Sequence, residues 1–170
     1  GTLCAADMRH KAKGRWIAAA LDSMRQSNRE AALCLQAHGA TACTDVTGFG
    51  LLGHLVEMVR ASDVDVELDL SAIPILEGAE ETVRAGIMSS LQPQNVRLRR
   101  AVANLTEIAG PPRYPLLFDP QTAGGLLASI PADQADQCVK RLQALGYASA
   151  AVIGSVVAPS GRIEPITIRV

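Results

Sequence analysis

The chain has 170 residues, close to half of them apolar (48%), with 3% aromatic residues and a formal charge of −1. That length suits one domain with a sizeable aliphatic core. There are too few aromatic faces for base stacking and no positive field to gather nucleic acid or an anionic membrane, and no apolar run approaches the ~20 residues of a membrane span.

The four cysteines, Cys4, Cys34, Cys43 and Cys138, lack C-x-x-C spacing, and no secretory leader is expected before them. They are expected to be buried, reduced thiols in a cytoplasmic setting, with neither zinc nor disulfides. The opening Gly1-Thr-Leu-Cys-Ala-Ala6 has no methionine and no polar leader and is expected to be the interior of a longer polypeptide. Residues 15–25 place Trp16, Ile17, Ala20, Leu21 and Met24 at helical spacing. Ser27-Asn-Arg-Glu30 then reads as a capping box for a second helix, which carries Ala32, Leu33 and Leu35 and stops at Gly39. His10 and His38 show no catalytic pattern.

The stretch Thr41-Ala-Cys-Thr-Asp-Val-Thr-Gly-Phe-Gly-Leu-Leu-Gly-His54 reads as strand, turn and helix with an acidic tip. Its glycines allow close backbone approach, and a helix N-terminus presents unpaired N–H groups that favour phosphate. Asp45 would repel a bare phosphate but hold one through Mg²⁺, which uses few carboxylates. A tight turn with Asp45 as the helix cap accounts for the same residues. Gly48-Phe-Gly-Leu-Leu-Gly53 also matches G-x-G-x-x-G, with Glu67 and Asp69 near the place of a ribose-binding acid. A dinucleotide reading is disfavoured, because Asp45-Val-Thr47 separates strand from glycine and the β-α-β pattern does not repeat.

The following helix, 51–61, puts Leu52, Leu55, Val56 and Val59 on one face, with His54 in it expected to be a surface or packed histidine and not a ligand. Residues 64–70 alternate apolar and acidic side chains, which predicts a half-buried strand with Asp65, Glu67 and Asp69 on its wet face. A short helix over 79–85, closed by Gly86, and a polar loop over 89–95 come next. Arg97, Arg99 and Arg100 are expected to open a helix, against the sense of its dipole. Residues 110–115 form a stiff linker. Two apolar runs then flank Asp119-Pro-Gln-Thr-Ala-Gly-Gly125, whose glycine pair suggests that backbone approaches something closely. A buried strand over 126–130, a helix burying Ala135, Val139 and Leu142, and a strand over 150–157 predict a β-α-β unit. A turn at 159–161 leads into a last strand, 162–170, as a hairpin.

Thr44-Asp-Val-Thr-Gly-Phe-Gly-Leu-Leu-Gly-His54 and Phe118-Asp-Pro-Gln-Thr-Ala-Gly-Gly-Leu-Leu127 together resemble, nearly residue for residue, the signature segments of the selenophosphate synthetases, or selenide, water dikinases. Gly1-Thr and Ala5-Ala-Asp-Met8 are similar to the segment that follows that family's N-terminal domain. The resemblance covers the family's C-terminal half and is weakest between residues 86 and 112. It implies an α/β (α+β) fold of the aminoimidazole ribonucleotide synthetase-like superfamily: a layered mixed β-sheet with flanking helices and partial ferredoxin-like topology. Residues 1–170 would then be a single C-terminal domain, with the N-terminal ATP-binding catalytic domain outside this chain.

The resemblance further implies conversion of ATP, selenide and water into selenophosphate, AMP and phosphate with Mg²⁺, in support of selenoprotein and seleno-tRNA synthesis. The family's reactive cysteine or selenocysteine and its lysine lie in the N-terminal half, so no catalytic residue is expected here, and Cys4 and Lys11 match no catalytic motif. Asp45 occupies the metal-binding position. Thr44, Thr47, Gly48 and Gly50 are expected to support the metal's water or touch phosphate, and Asp119, Gln121 and Thr122 to line the cleft. Ala123 stands where serine is common. Expected partners are ATP, selenide, the N-terminal domain and a second copy in a homodimer; the isolated domain is expected to be inactive. The alternatives are a non-catalytic dimerisation or docking module, and another ATP-dependent synthetase or kinase of the superfamily.

Overall fold

A computed structural model of the chain describes residues 1–108 and 110–170. Three helices open it: α1 (Thr2–Met8), α2 (Gly14–Arg25) and α3 (Arg29–Ala37). The first was not foreseen, since its Ala-rich run carries no polar cap; Asp119, far along the chain, supplies the cap instead. On α2 the expected stripe holds through Trp16 and Ala20, but Leu21 is half exposed. On α3 Leu35 is buried as expected, but Ala32 and Leu33 are exposed. Ala31, Cys34 and Leu35 face inward, at i, i+3 and i+4.

The capping box also does not form. Asn28 is the N-cap, the Ser27 hydroxyl accepts from Arg29, and the Glu30 carboxylate turns to the Arg29 guanidinium. Tyr147 takes over: its hydroxyl accepts the Ala31 N–H at 3.1 Å and donates to the Ser27 carbonyl at 2.7 Å. A distant phenol thus satisfies a helix-end donor that a local serine was expected to cap.

The strands form two small sheets. Strand β1 (Ala42–Asp45) pairs antiparallel with β3 (Leu126–Ser129), in a register that sets Asp45 opposite Leu126. The second sheet has the order β4 (Gly154–Val157), β2 (Asp65–Asp69), β5 (Ile166–Arg169), with β2 antiparallel to β4 and parallel to β5. Two expectations are corrected by this topology. The strands before and after α8 (Ala132–Ala144) lie in different sheets, so there is no β-α-β unit, and β4 and β5 are separated by β2 instead of forming a hairpin. Periodicity marks a strand but carries no label for its partner.

Burial corrects further details. Asp65 is buried, its carboxylate accepting the Ser160 N–H, whereas Glu67 pairs with Arg169 and Asp69 caps the turn at Ser71. Strand β3 buries only Leu127, and α8 buries Cys138 and Leu142, with Ala135 and Val139 partly covered. Arg99 and Arg100 lie in the last turn of a 3₁₀ segment, Val96–Ala101, that follows the one-turn α6 (Gln92–Asn95). Cations at that end suit the dipole, so the expected violation does not hold for Arg99 and Arg100, while Arg97 sits at the second position of the segment.

The main core lies between α4 (Gly50–Ser62) and the three-stranded sheet, where Leu52, Leu55, Val56 and Val59 meet Val66, Leu68, Ile166 and Ile168. A 3₁₀ segment, Tyr114–Phe118, closes it, with Phe118 edge-on to Tyr114. A second core joins α3 to α8, and a third packs Leu3, Trp16 and Ala20 onto Ala79 of α5 (Ala79–Arg84). A further turn of helix, α7 (Leu105–Ile108), lies before the 3₁₀ segment.

Candidate functional site

The two glycine-bearing stretches singled out in the sequence lie against each other. Beyond the last pair of the β1–β3 ladder, the Val46 N–H donates to the Gly125 carbonyl at 2.9 Å, and the Gln121 N–H donates to the Thr47 carbonyl at 3.0 Å. The glycines are required by this approach. Gly50 has φ +70°, and a Cβ there would sit 2.8 Å from the Phe118 carbonyl carbon; one at Gly124 would strike the Val46 carbonyl oxygen.

Three side chains from elsewhere fasten the loops. Asn95 donates from one amide nitrogen to the Gly48 carbonyl at 2.8 Å and the Phe118 carbonyl at 3.0 Å, bridging both stretches. Asn28 donates to the Gly124 carbonyl at 3.0 Å. His54, buried one turn into α4, accepts the Thr47 N–H at Nε2, 3.0 Å away, with the Thr47 hydroxyl at 3.1 Å. Accepting there assigns the ring proton to Nδ1, which lies 3.3 Å from the Glu57 carboxylate but outside hydrogen-bond geometry.

Asp45 stands exposed at the end of β1. It is not the cap of α4, since Phe49 holds that position. Among the described residues no side chain donates to its carboxylate, and Thr44 turns its hydroxyl to the Asp45 carbonyl at 3.2 Å. Cys43, expected to be buried, is exposed, as is Cys4; partial desolvation of its thiol by neighbouring atoms, and secondarily the Asp45 charge, push it above its ordinary range. Gly48 is exposed and Gly50 is buried beneath it.

The residues of the second stretch divide. Asp119 is buried, and its carboxylate accepts the Thr2 N–H at 2.8 Å and the Thr2 hydroxyl at 2.7 Å, so it points toward α1. Gln121 is half-buried and donates to the Asp119 carbonyl at 3.2 Å, while Thr122 is exposed. Asp45 is therefore the one expected site carboxylate with a free face. It fits a hard cation that takes one or two carboxylates and fills its other positions with water and phosphate oxygens. The three fastening residues, Asn28, Asn95 and His54, escaped sequence reading because each acts on a backbone group in another segment or turn. The polar character of residues 89–95 was the only trace of Asn95.

The family described as AIR synthase related protein, C-terminal domain, matches residues 9–164. The chain is 38% identical over 144 residues to a selenide, water dikinase of Clostridioides difficile, an alignment covering 83% of this chain and 40% of that protein. It is 36% identical over 137 residues to that of Caldanaerobacter subterraneus, covering 81% and 40%. With the Burkholderia ambifaria protein of the same name it shares 32% over 164 residues, covering 96% and 46%. The chain thus spans less than half the length of these relatives.

Proposed function

The chain belongs to the AIR synthase related protein C-terminal domain family, and from that premise we propose that it is the C-terminal domain of a selenide, water dikinase. In this reading the whole enzyme forms selenophosphate, AMP and phosphate from ATP, selenide and water. The present domain contributes one wall of the site, and ATP is held mainly by the N-terminal domain. The observation that carries the proposal is Asp45: a carboxylate with no donor among the described residues, at the tip of a strand fixed by two interlocked glycine loops. Its support comes from the relatives' names and from the fit of that lone carboxylate to a shared cation.

Asp45 would hold Mg²⁺, with the hydroxyls of Thr44 and Thr47 close by in sequence. Bound there, the cation would supply neutralisation of phosphate oxygen charge, the main requirement of phosphoryl transfer. The protein's own part is positional. His54 and Asn95 hold the turn after Asp45 rigid, so the carboxylate does not have to be ordered when substrate arrives. Gly48 leaves the exposed face of the turn open to a close ligand. Gln121 and Thr122 would border the same cleft; Asp119 serves it indirectly, by fixing α1 under the second loop. Homodimerisation and a cytoplasmic setting belong to the same reading. Among the described residues no helix is long and apolar enough to cross a membrane.

The test is Asp45→Asn in the intact enzyme. Selenide-dependent AMP formation should fall beyond the ~10–100-fold that attends disturbance of a metal's outer partners, with the melting temperature unchanged. Turnover within a few-fold of the parent, at equal Mg²⁺ dependence, would overturn the assignment and favour a docking module.

A further inference from the structure

Where α3 meets α8, away from the glycine loops, three side chains with soft or borderline donor atoms converge. Cys34 and His38 stand at i and i+4 at the C-terminal end of α3, and Cys138 faces them from the middle of α8. Their ligand atoms all lie within 4.8 Å of one another, and Cys34 Sγ is 3.7 Å from His38 Nδ1. Tetrahedral coordination with metal–sulfur bonds of ~2.3 Å and metal–nitrogen bonds of ~2.0 Å requires ligand separations of roughly 3.5 Å for sulfur to nitrogen and roughly 3.8 Å for sulfur to sulfur. The Cys34–His38 edge, at 3.7 Å, is already near that value, and the remaining separations, all within 4.8 Å, close on it by a rotamer adjustment of Cys138. Both sulfurs are buried among Ala31, Leu35 and Leu142, and His38 is the half-exposed member through which an ion and a water would enter.

We propose that Cys34, His38 and Cys138 form a zinc-class cation site of two sulfurs and one nitrogen, with a fourth position open to water. Without the ion, His38 Nδ1 donates to the Cys34 carbonyl at 2.8 Å, and Cys34 and Cys138 are free cysteines. On binding, each thiol releases its proton to solvent and each sulfur gives an electron pair to the cation. His38 remains neutral, its proton moving from Nδ1 to Nε2. The ion would clip α3, which leads into β1, to α8, which follows β3. It would brace from behind the strand pair that carries Asp45, with no part in the Mg²⁺ chemistry proposed there.

The probe is zinc alone, added to the intact protein and followed by hydrogen exchange. Amides around residues 34–40 and 138–142 should slow by up to about 100-fold when free zinc is ~100 times its Kd. Cobalt should give a sulfur-to-metal charge-transfer band that survives the paired Cys4→Ser and Cys43→Ser changes, which remove the exposed thiols, and disappears with Cys138→Ser. Hydrogen exchange needs no variant, so a misfolded Cys138→Ser chain leaves the test intact. No zinc-dependent slowing in these two segments, or a cobalt band that outlasts Cys138→Ser, would overturn the site.

Discussion

The Thr47 backbone N–H and hydroxyl converge on the Nε2 of His54, at 3.0 and 3.1 Å, so a histidine buried in α4 holds the turn that leads into its own helix. The ring acts as an acceptor at Nε2, and an apolar ring would remove that acceptor together with the unpartnered Nδ1–H beside Glu57. His54→Phe should therefore destabilise the domain by about 1–3 kcal/mol, the range for a partly buried donor left without a partner. A denaturant midpoint lowered with an unchanged m-value is the expected result. An unchanged midpoint would mean that the Thr47 N–H finds water at no loss.

Gly50 and Gly48 lie two residues apart in the same turn and should answer alanine oppositely. Gly50 has φ +70° and its added methyl would meet the Phe118 carbonyl carbon at 2.8 Å, whereas nothing lies within 4 Å of the corresponding position at Gly48. Gly50→Ala combines left-handed strain of about 1–2 kcal/mol with overpacking against backbone, itself about 1–3 kcal/mol. Gly48→Ala should be close to neutral for stability. Thermal melts of the pair would check this, and equal losses would refute the packing account.

Asn95 joins the two loops through one amide nitrogen, donating to the carbonyls of Gly48 and Phe118. Asn95→Asp is nearly isosteric but turns that donor into a carboxylate facing two carbonyl oxygens. A buried acceptor set against acceptors loses both bonds and adds repulsion, so the expected loss exceeds the ~1–3 kcal/mol of a simple unpaired group at neutral pH. Acidification that protonates the new carboxyl should recover part of it. Stability measured at neutral and mildly acid pH in the same variant separates this from a mere loss of packing, which pH would not relieve.

How much of this was legible in the sequence depended on whether a residue's partner was local. The strand ending at Asp45 and the helix face of Leu52, Leu55, Val56 and Val59 follow from periodicity and were expected as found. So was the proximity of backbone at the Gly124-Gly125 pair, although not the Val46 carbonyl it meets. The roles of Asn28, Asn95 and Tyr147 were not legible, because each bonds a backbone group in a distant segment, and polarity alone does not name a partner. Asp119 was read as lining a cleft from its place in a motif, yet its carboxylate caps α1, a helix without a signal of its own. The sheet order β4-β2-β5 was hidden for a related reason: alternation in β2 marks a wet face and a dry face but not which strands lie on its edges.

The charge of Asp45 can be read without a substrate, through Cys43. The exposed thiol is raised first by partial desolvation and then by the neighbouring carboxylate. Since the thiolate is the reactive form, a raised value lowers its fraction at neutral pH and slows alkylation. Asp45→Asn removes the second cause and leaves the first. The alkylation profile of Cys43 should therefore shift to lower pH, remaining above that of a free thiol. Mg²⁺ with ATP in the intact enzyme should act in the same direction if the cation sits at Asp45, because a bound positive charge offsets the carboxylate. A Cys43 profile indifferent to Asp45→Asn would show that the carboxylate is turned away from its strand neighbour, and the placement of the proposed metal would have to be redrawn.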